Sequence, residues 1–467
     1  MLTQSLAGFT AREILTAAGA KLIRGSLETS FKGISIDSRS INEGELFVAI
    51  KGKKFDGHDF IISALTKAGG IVISRNISSR QLVSVENKIP LFLVKDTITA
   101  LGDIASCHRD KFKGIIAAIT GSAGKTTTKD ILSCILGQKY KVLKSKASFN
   151  NFIGLPLTLL NLKPAYQIAV LEMGASSLGE IKRLTEISRP AWGIIVNVGP
   201  AHLETFQDIH TVYKAKLELV RAMDQENLVV INGDDKRLLS MARRFGRRVV
   251  TFGMSEDCDF RASKVSCSNG ELKFILNGRN WLKLKILGMH NIYNLLAAIA
   301  LADQLGIDFN LVKKALANIS LPPGRMEVRE ICGVKLIDDS YNSNPLSLGW
   351  AIDTLSGLSV KGKKILVSGD MLELGPESKN AHLRIGKKVA GSGINILVTV
   401  GGSAKEMSQA AGKYGMKKDA VFDCDSVDDA KCCLERLARP GDVVLVKGSR
   451  AVGMERVVEG FTNSYKP

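Results

Sequence analysis

The chain has 467 residues, of which 45% are hydrophobic and 24% charged, with a formal net charge of +18. That length predicts two or three globular domains rather than one core, and no apolar run approaches the ~18 residues of a membrane-spanning helix, which excludes an integral membrane protein. Eight scattered cysteines without a Cys-x-x-Cys pair argue against a disulfide framework and a zinc centre, so a reducing, cytoplasmic setting without a cleaved leader is expected.

Residues 1–112 hold short extended pieces, Gly33 to Asp37, Leu46 to Ile50, Gly70 to Ser74 and Leu91 to Val94, around a helical stretch from Ile61 to Ala68. They predict a small α/β domain. From the polar Arg109-Asp110-Lys111 onward, buried strands alternate with helices: Ile115 to Thr120, Ile168 to Glu172, Gly193 to Val198 and Leu228 to Asn232. Continuous apolar strands belong to a parallel sheet covered on both faces. Between Val249 and Leu287 two Asn-Gly turns, Asn269-Gly270 and Asn277-Gly278, predict an antiparallel meander at the edge of that sheet.

A helix beginning near Asn291 restores the α/β rhythm until Leu321-Pro322-Pro323-Gly324 breaks it. Residues 323–467 then repeat strand and helix about five times, at Val334 to Ile337, Ile365 to Ser368, Ile396 to Val400, Ala420 to Asp423 and Val443 to Val446. The expected fold is therefore α/β in three domains: a small one at 1–112, a doubly wound, mostly parallel sheet with an antiparallel insert at 113–322, and a second doubly wound domain at 323–467.

The run Gly121-Ser122-Ala123-Gly124-Lys125-Thr126-Thr127 joins a strand to a helix. Two glycines there let backbone N–H groups converge on one anion, Lys125 neutralises phosphate charge, and Thr126 is placed to hold Mg²⁺, so ATP or a relative is the expected ligand. The longer phosphate-loop spacing asks for glycine at 119, where this chain has Ile119. The basic excess is concentrated in residues 113–322. It suits nucleotides, and it suits RNA, but no basic run interleaved with aromatics accompanies it.

Glu172 closes one strand and Asn197 the next along the chain, and His202 follows in a loop, so all three are expected at the sheet end that carries Lys125. A carboxylate one strand from a phosphate loop suits Mg²⁺. Lys216 shares the apolar face of a helix with Val212, Leu219, Val220 and Met223. It either snorkels its ammonium to solvent or sits buried with a depressed pKa, in which case the neutral amine can be carbamylated by CO₂ and become an oxygen ligand for metal. Asn291 has the amide edge to read adenine, Arg325 the fork to clamp phosphate, and Asp339 the acceptors for ribose hydroxyls.

Together the cradle, Ser148-Phe149-Asn150-Asn151 with Gly154-Leu155-Pro156, Glu172-Met173-Gly174, Asn197 with His202, Ala215-Lys216, Gly288 to Asn294 and Gly324-Arg325 resemble the ATP-dependent Mur ligases of peptidoglycan synthesis, in this order and over essentially the whole chain. In that family the first glycine of the longer spacing is routinely missing. Asp37-Ser38-Arg39 and Asp56-Gly57-His58 are similar to the uridine-nucleotide-binding first domain. Asp338 to Pro345, Gly369 to Gly375 and Lys447-Gly448-Ser449-Arg450 look like the branch that adds D-Ala-D-Ala, and the Asp-Asn-Pro-Arg signature of the diaminopimelate- or lysine-adding branch is absent.

The resemblance implies an amide ligase that phosphorylates the carboxylate of UDP-N-acetylmuramoyl tripeptide and passes the acyl group to D-Ala-D-Ala, with ATP and Mg²⁺. It implies Lys125, Glu172, His202 and Lys216 as catalytic groups, with Thr126, Glu172, His202 and carbamylated Lys216 toward metal. Asn291, Arg325 and Asp339 would hold nucleotide, and Asp37, Ser38, Arg39, His58, Asn150, Asn151, Tyr341, Asn342 and Asn344 would meet the substrates. A monomer without nucleic-acid partners is expected. The rivals are another Mur-type amino-acid ligase and, more remotely, a basic nucleic-acid-binding NTPase.

Overall fold

The computed structural model describes residues 8–76, 89–268, 270–317 and 319–464. Its centre is a nine-stranded sheet in the spatial order Asn280–Leu284, Glu271–Leu276, Phe260–Ser268, Arg248–Gly253, Leu228–Asn232, Trp192–Ile195, Ile115–Thr120, Ile168–Glu172 and Val142–Lys144. From Val142–Lys144 to Phe260–Ser268 every pairing is parallel, and the last two are antiparallel. The meander expected from the turns is thus the sheet's outer margin. Asn277 takes the left-handed conformation such a turn requires, whereas Asn269 lies outside the described residues.

Side chains alternate across this sheet as the pleat dictates. Ala117, Ile119, Val170, Ile194 and Val230 pack under the helices Lys125–Leu136 and Asn291–Gln304. Ile116, Ala118, Ala169, Leu171, Ile195, Val229 and Ile231 face the opposite layer, with Glu180–Ser188 and Ile209–Ala222. Burial on both faces is why these strands read as unbroken apolar runs.

The C-terminal sheet has six strands, ordered Glu327–Ile331, Val334–Asp339, Val443–Lys447, Lys364–Gly369, Ile396–Val400 and Val421–Cys424, parallel except for the first. That edge strand, half-exposed along its length, carries no apolar run to betray it. One apolar cluster runs from the central layer through Leu287, Met326 and Ile337 into Leu366 and Leu445 of the C-terminal domain, so the two domains meet over a shared core.

The N-terminal sheet is ordered Lys21–Arg24, Leu91–Leu93, Gly70–Ile73, Leu46–Val48 and Ile34–Ser35. The helix expected over 61–68 stops at Ile61–Ala64, because the Lys67 carbonyl accepts from the Gly44 N–H and Gly69 donates to the Glu45 carbonyl. The helix Thr97–Asp110 is capped by Asp96, which accepts from the Thr99 N–H. It packs beside Gly154–Leu159 and Glu180–Ser188 of the central domain.

Candidate active site

The strand Ile115–Thr120 lies between Ile168–Glu172 and Trp192–Ile195, the point from which the chain winds in both directions and where such sheets bind ligands. Beyond it Gly121 (φ 153°) and Gly124 (φ 79°) take conformations that suit glycine. A Cβ on Gly124 would stand 2.2 Å from Asn294 Oδ1. The helix Lys125–Leu136 starts at once, with no side-chain cap, so its first N–H groups remain for an anion.

The loop is held from the neighbouring strand. Asn197 accepts from the Ala123 N–H and donates to the Ala123 carbonyl, both at 3.0 Å, and its own carbonyl accepts from the Ser122 N–H at 3.1 Å. This is why the strand expected over 193–198 ends at Ile195. Lys125 arches back to donate to the Gly121 carbonyl at 2.9 Å. Burial lowers its pKa, with Glu172 opposing and Arg325 adding to the effect.

Glu172 pairs in register with Ile119 and is 2% exposed. Its Oε2 accepts from Thr126 Oγ1 and its Oε1 from Asn150 Nδ2, each at 2.8 Å. Thr126 Oγ1 in turn accepts from Arg325 Nη2 at 2.9 Å. The Arg325 guanidinium lies 4.2 Å from the Tyr341 ring centre, with that of Arg450 at 5.4 Å. Asn344 caps the helix Pro345–Gly357 and donates to the Ser122 carbonyl at 3.3 Å. The cleft so formed, about 340 Å³, is lined by Ser122 to Thr127, Asn150, Asn151, Glu172, His202, Asn291, Arg325, Asp339, Tyr341, Asn342 and Asn344.

Several expected roles are modified by these contacts. Asp339 receives the Lys447 ammonium at 2.6 Å and the Met326 N–H at 3.2 Å, so part of its acceptor capacity is already engaged. Asn291 donates to the Leu287 carbonyl at 2.6 Å and accepts from Asn294 at 2.8 Å. His202, in a left-handed conformation (φ 52°), has Nδ1 2.6 Å from Glu373 Oε2, off hydrogen-bond alignment. Burial lowers its pKa; Glu373 opposes, while Lys125 and Lys216 add to the fall.

Asp37, Ser38, Arg39, His58 and Lys216 are not among the lining residues. Arg39 forks onto Asp37 at 2.9 and 2.6 Å on the surface. His58, expected to meet substrate, is 1% exposed, with Nδ1 on Asp56 at 2.6 Å and Nε2 accepting from the Ser74 N–H at 3.0 Å, so it ties two loops together. Lys216 is 2% exposed, which rules out snorkelling, and its ammonium stands 5.8 Å from the Phe206 ring centre. Burial, with Lys125 adding, pushes its pKa down to about 7.

The reading of the sequence gave no role to Glu373, Lys447 or Trp350. Trp350 stacks on His290 across the domain boundary, ring centres 5.3 Å apart and planes 6° apart, and burial pushes the His290 pKa down to about 3. Lys447 lay in a quoted motif; nothing in the sequence marks Trp350.

Among the described residues no group of three or more His, Cys, Asp or Glu is placed to hold a metal alone. Thr126 and Glu172 supply two oxygen donors, a set that fits Mg²⁺ arriving with substrate phosphates and water rather than a resident metal centre.

Residues 30–109 match the family described as Mur ligase family, catalytic domain; 119–302 match the Mur ligase middle domain; and 324–450 match the Mur ligase, glutamate ligase domain. The chain is 32% identical to the UDP-N-acetylmuramoyl-tripeptide–D-alanyl-D-alanine ligase of Bacillus subtilis over 95% of this chain and 97% of that one. It is similar to a crystal structure of MurF from Acinetobacter baumannii (TM-score 0.88, 28% identity, 98% and 99% covered). A MurF ligase structure from Thermotoga maritima in complex with ADP gives TM-score 0.81 at 31% identity, covering 93% and 97%.

Asn197→Ala removes two hydrogen bonds worth about 1 kcal/mol each and is expected to weaken nucleotide binding by roughly 10- to 30-fold in calorimetry while the fold persists; unchanged affinity counts against the clip. For Lys216, a folded pKa of about 7 against the ordinary 10.5 means the unfolded chain binds the proton more tightly. The burial penalty is then full below about pH 7 and fades as pH rises to 10.5. Lys216→Met should therefore melt above the parent at pH 6, in CO₂-free buffer, with the gap closing by pH 10; a gap that widens with pH contradicts the assignment.

Proposed function

The chain belongs to the Mur ligase family, and from that premise we propose that it joins D-Ala-D-Ala to the terminal carboxylate of UDP-N-acetylmuramoyl tripeptide in peptidoglycan synthesis. It is an ATP-dependent, ADP-forming amide ligase. The supporting observation is that likeness to ligases of that name over nearly the whole chain coincides with a cleft where a phosphate cradle, a strand-end carboxylate and an arginine from the adjoining domain converge.

In this reading a carboxylate oxygen of the tripeptide attacks the γ-phosphorus of ATP, and ADP leaves. The dipeptide amine then attacks the acyl carbon, loses a proton and expels phosphate. Such chemistry asks the protein for position and charge neutralisation more than for covalent help. Lys125 steadies the transferred phosphoryl group. Thr126 and Glu172 hold Mg²⁺, which when bound neutralises phosphate charge. Arg325, Asn291 and Asp339 hold nucleotide, while Asn150, Asn151, Tyr341, Asn342 and Asn344 meet the substrates.

Residues 1–112 bind the uridine nucleotide through the Asp37-Ser38-Arg39 turn, of which Arg39 is exposed and the other two half-buried, residues 113–322 bind ATP, and 323–467 bring the dipeptide. Lys216, its pKa lowered to about 7 by burial, offers a neutral amine that adds to CO₂ with loss of a proton; the carbamate replaces a charge that Lys125 repels and would, with His202, hold the metal. The enzyme acts as a cytoplasmic monomer; among the described residues no helix is long and apolar enough to cross a membrane.

A coupled phosphate-release assay is expected to show turnover only with UDP-N-acetylmuramoyl tripeptide, ATP and D-Ala-D-Ala together, and to lose at least about 100-fold in Lys125→Ala. Turnover with a single amino acid in place of the dipeptide would move the assignment to another branch. Lys216→Ala should be nearly inactive and partly restored by short carboxylic acids that stand in for the carbamate; full activity without them refutes that role.

A further inference from the structure

The Thr126 hydroxyl has its proton and one of its lone pairs engaged. It donates to Glu172 at 2.8 Å and accepts from Arg325 Nη2 at 2.9 Å, and a hydroxyl has one proton to give. The Arg325 charge thus stands on one of the two oxygens that would take Mg²⁺. The fork belongs to the segment just after the break at Leu321 to Gly324, and its guanidinium lies 4.2 Å from the Tyr341 ring centre, with that of Arg450 at 5.4 Å. Glu172 accepts from Asn150 and Thr126, and the Lys125 and Lys129 ammoniums act on it from further off, Lys125 being turned to the Gly121 carbonyl.

We infer that Arg325 is a stand-in cation: it rests on Thr126 Oγ1, an oxygen a divalent ion would take, and metal-nucleotide binding exchanges it onto phosphate. The deduction rests on the reading of the cradle as a Mg²⁺–ATP site. Its electrostatic reason is that a guanidinium and a divalent ion on the same hydroxyl oxygen repel strongly. The exchange makes the metal site poor until phosphates arrive to receive the arginine. It also ties the position of the C-terminal segment to whether the metal is present.

Mn²⁺ followed by electron paramagnetic resonance reads this without turnover. Nucleotide-free parent protein should bind Mn²⁺ weakly, and Arg325→Gln at least about tenfold more tightly, whereas Arg325→Lys, which keeps the charge, should stay near the parent. Tyr341→Leu, which removes the ring but not the charge, should fall between. Equal Mn²⁺ affinity in the parent and Arg325→Gln overturns the stand-in role. If the parent fails to bind Mn²⁺ even with an ATP analogue, the cradle reading falls and the inference with it.

Discussion

Two hydrogen bonds from the Asn197 amide to Ala123 hold the one segment toward which every other group in the cleft is aimed. The loop after Ile115–Thr120 has no regular hydrogen-bonding pattern of its own, and its glycines, chosen for conformations other residues avoid, leave it with more freedom to lose on folding. The neighbouring strand therefore ends early and gives its next residues to the loop. Glu172 arrives from the strand on the other side, in register with Ile119. A carboxylate and a clamp one strand away on either flank are what a parallel sheet offers at the point where its winding changes direction.

The C-terminal domain approaches the same loop by different means. Arg325 and Asn344 reach it with single polar contacts, while the apolar cluster through Leu287, Met326 and Ile337 carries the bulk of the attachment. Hydrophobic burial is nondirectional, and polar contacts are short-ranged and oriented. The first keeps the domains together and the second sets their register over the phosphate cradle.

What was legible in the sequence follows from this division. Strands buried on both faces ended at Thr120 and Glu172 as their apolar runs indicated, because composition changes where the ladder stops. The end at Ile195 was missed by three residues, since the clip at Asn197 depends on a partner 74 positions away. The strand Glu327–Ile331, half-exposed and charged, had no pattern to read. Helical spacing placed Lys216 on the inner face but not the direction of its four-carbon stem, and burial settled that. His58 is expected at the substrate from the resemblance carried by Asp56-Gly57-His58; that its two ring nitrogens are engaged by Asp56 and Ser74 is a fact of packing that no spacing encodes.

The stack of Trp350 on His290 has an optical side. The chain has three tryptophans, and this one alone lies flat against a ring from the opposite domain, inside the cleft. Indole emission responds to contact and solvent within a few ångströms, so separation of the domains by even one side-chain width changes the surroundings of Trp350 while Trp192 stays in the central sheet and Trp281 on its outer margin. The protein thus carries, between its central and C-terminal domains, an intrinsic gauge of their distance.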